Sequence, residues 1–91
     1  MLIVQKFGGS SLAGVERLRC AAAIISDCAM AGNDVVAVVS ARGNTTDELL
    51  ADAKRISSCP RARELDALLS TGETGSAAMT AMQLADMGHD S

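Results

Sequence analysis

The feature that most constrains the fold is a pair of short apolar runs, each followed by a loop that contains glycine. The first run covers residues 2–5 and leads into the first loop, residues 6–11, which reads Lys-Phe-Gly-Gly-Ser-Ser. The second run, residues 35–39, reads Val-Val-Ala-Val-Val and leads into the second loop, residues 40–46. Apolar runs of this length predict buried strands, and the β-branched second run predicts a strand that is covered on both faces.

The segment between the two runs has the pattern of an amphipathic helix. Its apolar residues recur on one side over residues 15–31, and Gly32 follows where such a helix would end. A helix of this length allows a right-handed crossover between two parallel strands. Residues 2–39 therefore predict the strand–helix–strand unit of an α/β fold.

The second half of the chain predicts further helices. Thr45 and Glu48 have the spacing of a capping box, which predicts a helix from Thr45 to near Ile56. Pro60 fits the opening of the next helix, which we expect over residues 61–69.

The last helix is predicted in two pieces. The sequence Ser-Thr-Gly-Glu at residues 70–73 interrupts it, and an alanine- and methionine-rich segment continues it over residues 74–87. We expect the methionines of this segment to pack in the core. His89, near the end, is expected at the surface.

Composition excludes several classes of function. The chain of 91 residues has a net charge of −3 and a single aromatic residue, Phe7. It therefore lacks the basic surface and the stacking side chains that nucleic-acid binding needs. No apolar run approaches the roughly 20 residues that cross a bilayer, and the N-terminus does not read as a signal peptide. The three cysteines form no metal-binding pattern, and we expect them to be reduced residues of the core. We expect a cytoplasmic protein without nucleic-acid or membrane partners.

The first loop has the composition of a phosphate-binding site. Gly8 and Gly9 carry no Cβ, so their N–H groups can approach an anion, and the following helix would direct its positive end towards them. Lys6 adds a cation, and Ser10 and Ser11 add hydroxyl donors. Ligands of open α/β sheets bind beyond the carboxyl ends of the strands, where both loops lie. The loop matches neither the Walker A nor the GxGxxG pattern, and a tight strand-to-helix turn explains it equally well.

Three segments together resemble the motifs of aspartate kinases, which are members of the amino-acid kinase superfamily. Residues 6–12, KFGGSSL, resemble the family's K-(F/Y)-G-G-(S/T)-S opening. Residues 39–50, VSARGNTTDELL, resemble V-S-A-x-G-x-T-T-D-x-L-L, and residues 63–73, RELDALLSTGE, resemble R-E-x-D-x-L-(L/A)-(S/T)-x-G-E. The three motifs occur in the family's order and with family-like spacing, and they cover nearly the whole chain.

The resemblance implies a fold and a role for particular residues. It implies the N-terminal part of a three-layer α/β/α fold with a mainly parallel sheet. The nucleotide would be bound by the first loop, with Lys6 as the catalytic residue, and L-aspartate by residues of the other two motifs. The implied ATP-binding residues are Lys6, Phe7, Gly8, Gly9 and Ser10, and the implied substrate-binding residues are Ser40, Thr46 and Glu73.

The implied reaction is transfer of the γ-phosphoryl group of MgATP to the side-chain carboxylate of L-aspartate. The product, 4-phospho-L-aspartate, leads to lysine, threonine and methionine. The magnesium ion would be bound through the nucleotide. A carboxylate with an ordinary pKa of about 3.9 is already ionised at neutral pH, so the reaction needs no general base. It requires positioning of the substrates and neutralisation of charge, for which Lys6 and the glycine N–H groups are suited.

Two of the implied substrate-binding residues have a second interpretation. Ser70 and Glu73 also have capping-box spacing, so Glu73 could instead cap a helix. Thr46 could be an ordinary residue of the first turn of its helix.

The sequence departs from the family pattern at two places. Arg42 stands where the family usually has Met, which places a cation beside the second loop that could bind phosphate or alter the substrate. Thr74 and Gly75 replace the usual Arg or another larger residue after Gly-Glu.

The family's adenine pocket, further catalytic residues and regulatory ACT domains lie outside these motifs. We therefore expect residues 1–91 to be the N-terminal part of such an enzyme and to be inactive alone. We also expect them to associate, as a homo-oligomer or through exposed apolar faces. One alternative is a short, catalytically silent homologue that binds a partner. Another is a related amino-acid kinase with a different acid substrate.

Overall fold

The computed structural model describes residues 1–90, which form two strands and three α-helices. Residues 1–39 form the strand–helix–strand unit, and the other two helices follow it. In chain order the elements are β1 (Leu2–Phe7), a single 3₁₀ turn (Gly9–Leu12), α1 (Gly14–Met30), β2 (Asp34–Val39), α2 (Thr45–Ile56) and α3 (Ala62–Asp86).

The two strands pair in parallel, so the predicted α/β class and the parallel sheet are confirmed. The register runs without a break over six residue pairs, from Leu2 opposite Asp34 to Phe7 opposite Val39. Parallel pairing requires a connection that returns the chain to the same end of the sheet, and α1 is that connection. Both loops consequently leave the same edge of the sheet.

The core lies between the sheet and α1, with α3 beside them. The buried residues of α1 recur at helical spacing and form one face of the helix, as the sequence predicted. Phe7 and Leu84 pack against this face, and Val35 and Val39 contact it from the sheet. The buried residues of α1 are Leu18, Ala21, Ala22, Ile25 and Ser26.

The opposite face of the sheet is open, which corrects the prediction of strands covered on both faces. Leu2 and Val4 of β1 are 66% and 64% exposed, and Val36 and Val38 of β2 are 48% and 46% exposed. These four side chains share one face because the register pairs residues 2 with 34 and 4 with 36. The helices of residues 1–90 cover only the other face, so the second helical layer of the implied three-layer fold stays a prediction.

The shape of the chain agrees with this open packing. The radius of gyration is 15.2 Å, and the extents are 50 × 24 × 18 Å. A compact domain of this length would have a radius of gyration of about 12 Å. Helix α2 has no buried residue and packs mainly on α3. None of the helices in residues 1–90 combines the length and apolar character that crossing a membrane would demand.

Helix α2 has the predicted bounds but not the predicted cap. Its N-cap is Asn44, and no side chain bonds to the free N–H groups there, so the capping box of Thr45 and Glu48 is wrong. Thr45 is already inside the helix, and the N–H of Glu48 donates to the carbonyl of Asn44 at 2.9 Å. The boundary was correct because acidic first-turn residues and the preceding glycine mark it independently.

Helix α3 is continuous, so the predicted interruption at residues 70–73 is wrong. The hydroxyl groups of Ser70 and Thr71 donate to the carbonyl groups of Ala67 and Leu68, at 2.7 and 2.6 Å. Polar side chains that donate to carbonyl groups of the preceding turn make their hydrogen bonds within the helix, so the helix need not end there. The helix begins at Ala62 with Arg61 as its N-cap, so Pro60 precedes the helix and does not open it.

Several side-chain placements near the end of α3 differ from expectation. Met79, Met82 and Met87 are 43%, 67% and 38% exposed, so the prediction that they pack in the core is wrong. His89 is half-buried, and its Nε2 lies 2.8 Å from the hydroxyl of buried Ser26.

The cysteines are free in residues 1–90, in agreement with the expectation of reduced thiols. Cys20 and Cys59 are exposed, however, and only Cys28 is half-buried, so their placement in the core was wrong.

Candidate functional site

The two loops meet beyond the carboxyl ends of the strands. The first loop continues from β1 and the second from β2, and because the strands are parallel both lie at one edge of the sheet. The N–H of Gly43 donates to the carbonyl of Gly9 at 2.8 Å, which joins the loops directly. The two motifs, more than 30 residues apart in the sequence, therefore form one surface.

Gly9 is required by this contact. A Cβ at position 9 would lie 2.8 Å from the carbonyl oxygen of Ala41, a separation that real Cβ atoms do not show. The missing side chain makes room for the backbone of the second loop, a contact that the sequence did not indicate, and the predicted anion-binding role of Gly9 stays a prediction. Gly8 has no atom within 4 Å of the equivalent position, so its surface is free to meet a ligand.

Helix α3 joins the same contact through a glycine. A Cβ at Gly72 would lie 3.0 Å from the Cβ of Ala41 and 3.2 Å from Cγ2 of Thr45. The helix therefore packs against the second loop at the turn that carries the third motif. We call Gly9, Ala41, Gly43 and Gly72 the loop junction.

The predicted substrate-binding residues lie next to the loop junction. Ser40 precedes Ala41 and is half-buried, whereas Thr46 is exposed in the first turn of α2. Glu73 follows Gly72 and is exposed. The capping role that Glu73 could have had with Ser70 is excluded because both residues lie inside a continuous helix. The substrate-binding role itself stays a prediction.

The predicted nucleotide-binding residues divide into two groups. Lys6 is exposed and lies on the open face of the sheet, opposite Val38. Gly8 and Ser10 are exposed as well. Phe7 is buried in the core, so only its backbone could contact a ligand, and Gly9 is half-buried in the loop junction.

Helix α1 begins at Gly14, one residue before the predicted start at residue 15. The 3₁₀ turn separates Gly8 from the helix, so α1 does not begin directly after the two glycines. Gly14 has a φ of +78°, a conformation that favours glycine. The N-terminus of α1 instead borders a cleft of about 560 Å³ between the two loops and the start of α2. Its polar lining comprises Ser10, Arg17, Arg42, Asn44, Thr45 and Glu48, and it includes neither Lys6 nor Gly8 nor Glu73.

Arg42 makes contacts that the sequence did not indicate. Its Nε donates to the carbonyl of Leu12 at 3.0 Å, and its Nη1 lies 3.0 Å from the sulfur of Met79. The only sequence signal was the departure from Met at this position, and nothing local predicts either partner. Across residues 1–90 no group of three histidine, cysteine or carboxylate side chains is placed to hold a metal ion.

Comparison with known proteins identifies what this arrangement is similar to. The family model described as the amino acid kinase family matches residues 1–91. The chain is 52% identical over 88 residues to an aspartokinase of Geobacillus stearothermophilus, covering 97% of this chain and 22% of that protein. It is also 52% identical over 87 residues to an aspartokinase of Corynebacterium glutamicum, covering 96% of this chain and 21% of that protein.

A solved structure agrees with the sequence comparison. The crystal structure of an aspartate kinase from Synechocystis superposes with a TM-score of 0.92 at 47% identity. The match covers 96% of this chain and 15% of that one. The chain thus spans about a fifth of the length of the curated relatives that it matches.

Proposed function

This chain belongs to the amino acid kinase family, and we propose that it is the N-terminal part of the catalytic domain of an aspartate kinase. In this proposal the complete enzyme transfers the γ-phosphoryl group of ATP to the side-chain carboxylate of L-aspartate, giving 4-phospho-L-aspartate. The similarity to aspartokinases over 96–97% of the chain supports this substrate over another acid. The product would enter lysine, threonine and methionine synthesis in the cytoplasm.

One observation carries the proposal: the loop junction brings all three motif segments together. Gly9 belongs to the first motif, Ala41 to the second and Gly72 to the third, and each contacts another across the junction. Phosphoryl transfer between two bound substrates depends above all on holding them in a fixed relation. A nucleotide segment and an aspartate segment that touch directly meet that requirement.

The exposed residues around the junction supply the chemistry in this proposal. The ammonium group of Lys6 and the N–H groups at Gly8 would neutralise charge on the phosphates, and the open space at Gly8 leaves room for phosphate oxygens. Magnesium would be held through the nucleotide and would neutralise further charge. Glu73 would pair with the α-ammonium group of L-aspartate, and the hydroxyl of Thr46 would donate to a carboxylate oxygen of L-aspartate.

A chimeric enzyme tests whether this chain can supply its part of the site. The chain would replace the segment of the Geobacillus stearothermophilus aspartokinase that it matches over 88 residues. Acyl phosphate formed from ATP and L-aspartate would be trapped with hydroxylamine and measured as the hydroxamate. We expect turnover by the chimera that depends on both substrates, and none by the 91-residue chain alone. A folded chimera without turnover would contradict the proposal.

A different function has one observation in its favour. The open face of the sheet exposes four apolar side chains, those of Leu2, Val4, Val36 and Val38, beside the charged Lys6 and Asp34, and exposed apolar groups of this kind are typical of an interaction site. A catalytically silent module that binds a partner through this face would give a folded but inactive chimera. The same experiment therefore separates the two functions.

A further inference from the structure

Arg42 is the one side chain of the second loop that contacts both other motif-bearing parts of the molecule. Its Nε donates to the carbonyl of Leu12, at the end of the 3₁₀ turn that begins within the first loop. Its Nη1 reaches the sulfur of Met79, on α3 and less than two turns beyond Glu73. A single planar guanidinium group thus spans from the first loop to the helix that carries the third motif.

The surroundings of Arg42 indicate a structural tie and not an exposed charge. The residue is half-buried, and the two ion pairs found in residues 1–90, Glu16–Arg19 and Asp52–Arg55, do not involve it. Carbonyl groups at the end of a helical turn lack partners within that turn, so an N–H donor from another segment satisfies them. Leu12 itself is fully buried, which anchors one end of the tie in the core.

Without this tie, the second loop would be held less firmly. The other contacts of the loop junction are the hydrogen bond from Gly43 to Gly9 and the packing of Ala41 against Gly9 and Gly72. None of these contacts involves a side-chain donor. Arg42 adds side-chain hydrogen bonds that reach both the Gly9–Leu12 turn and α3.

We propose that Arg42 is a positioning residue, which holds the second loop against the first loop and α3 so that the two substrate-binding segments keep one relative geometry. The expected effect on catalysis rests on the proposed function, whereas the structural role of Arg42 in joining the segments is independent of it. Arg42 acts through the backbone of the loops and not by contact with either substrate. Its loss should therefore lower kcat and leave both KM values nearly unchanged.

The test uses the complete polypeptide that the gene encodes and three variants. Arg42→Met keeps the length and packing of the side chain but removes its donors. Arg42→Lys keeps the charge but cannot reproduce the planar fork that reaches two partners. Arg17→Met is the matched control, because Arg17 lines the same cleft and donates to the carbonyl of Ser10 at 2.9 Å without joining the loops.

Amide hydrogen exchange reports on the tie independently of activity. We expect the Gly43 amide to exchange about tenfold faster in both Arg42 variants, as the loss of roughly one charged hydrogen bond predicts, and to be unchanged in Arg17→Met. If the Gly43 amide exchanges at the same rate in the wild type and in all three variants, the inference is overturned.

Kinetics report on the positioning role. We expect kcat to fall about tenfold in Arg42→Met and Arg42→Lys, with both KM values within about twofold of wild type. A KM that rises for one substrate would instead identify direct binding, and normal activity in Arg42→Lys would identify charge as the cause. Either result, or an equal loss of kcat in Arg17→Met, overturns the positioning role of Arg42. A wild-type protein without activity contradicts the proposed function, and the exchange of Gly43 still decides whether the tie exists.

Discussion

The loop junction and the exposed residues that border it are built in opposite ways. In the junction, a Cβ at position 9 would clash with the carbonyl oxygen of Ala41, and a Cβ at position 72 would crowd the side chain of Ala41. Lys6, Thr46 and Glu73 lie beside it, exposed, and their side chains make no hydrogen bond within residues 1–90. The chain therefore packs the loop junction closely and leaves the predicted site residues exposed. Changes in the junction should alter stability, and changes in the exposed groups should alter catalysis alone.

The largest effect is expected at Lys6. In the complete polypeptide, Lys6→Ala should lower kcat by about 10²–10³, the usual result of removing one preorganised group that stabilises developing charge. The melting temperature should not change, because the side chain is exposed. Steady-state kinetics and thermal unfolding measure the two effects. Lys54→Ala, on the exposed side of α2, is the control, and equal kinetics in both variants would remove Lys6 from the site.

Glu73 should affect one substrate only. Glu73→Ala should raise the KM for L-aspartate by about tenfold or more, as the loss of a charged hydrogen bond predicts, with little change in the KM for ATP. The measurement is a titration of each substrate at saturation of the other. Glu64→Ala, also exposed on α3, should change neither constant. An increase confined to the KM for ATP would contradict the assignment of Glu73 to the L-aspartate site.

Gly8 and Gly9 of the first loop are neighbours, yet one lies at an open position and the other in the loop junction, so the same substitution at each tests the difference between the two regions. Gly9→Ala should lower the free energy of unfolding by about 1–3 kcal/mol, since the new Cβ overpacks against the backbone of Ala41. Gly8→Ala should change that free energy by less than about 0.5 kcal/mol, since the position is open. Its effect should appear as weaker ATP binding. Denaturant unfolding and ATP titration separate the two, and equal losses of stability would refute the distinction.

The smallest effect is expected for two glycines of α3. Gly75→Ala should stabilise the chain by about 0.4–1 kcal/mol, because the site is open and alanine favours the helix. Gly72→Ala should show no such gain and a net loss of about 1 kcal/mol, because its Cβ would crowd Ala41 and Thr45. Chemical denaturation of both variants measures the difference. Stabilisation by both substitutions would mean that α3 does not pack on the second loop as described.

The elements of this chain were predictable because each has a local signal. The bounds of α2 and the strand–helix–strand order follow from hydrophobic periodicity, glycine and the acidic first turn, which act within a few residues of one another. The positions of the three motifs were likewise visible in the order of residues. Parallel pairing then followed from the length of the connection between the two strands.

Most of the errors concern contacts that the local residue pattern does not specify, either between distant segments or between a side chain and the preceding turn. Residues 70–73 carry the composition of a loop, yet α3 continues through them because hydroxyl groups bond back to the helix and Gly72 packs on Ala41. Exposure of one sheet face depends on which helices are present to cover it, which a β-branched run cannot indicate.

The sequence by itself determined most of the elements, their order and the positions of the three motifs. Only the tertiary structure decided that Gly9 serves the second loop while Gly8 stays open, and that Arg42 joins three segments. The physical reason is the distance along the chain over which each effect acts. Propensity and periodicity act among neighbouring residues, whereas the close packing and side-chain hydrogen bonds of this site join atoms from positions 30 or more residues apart.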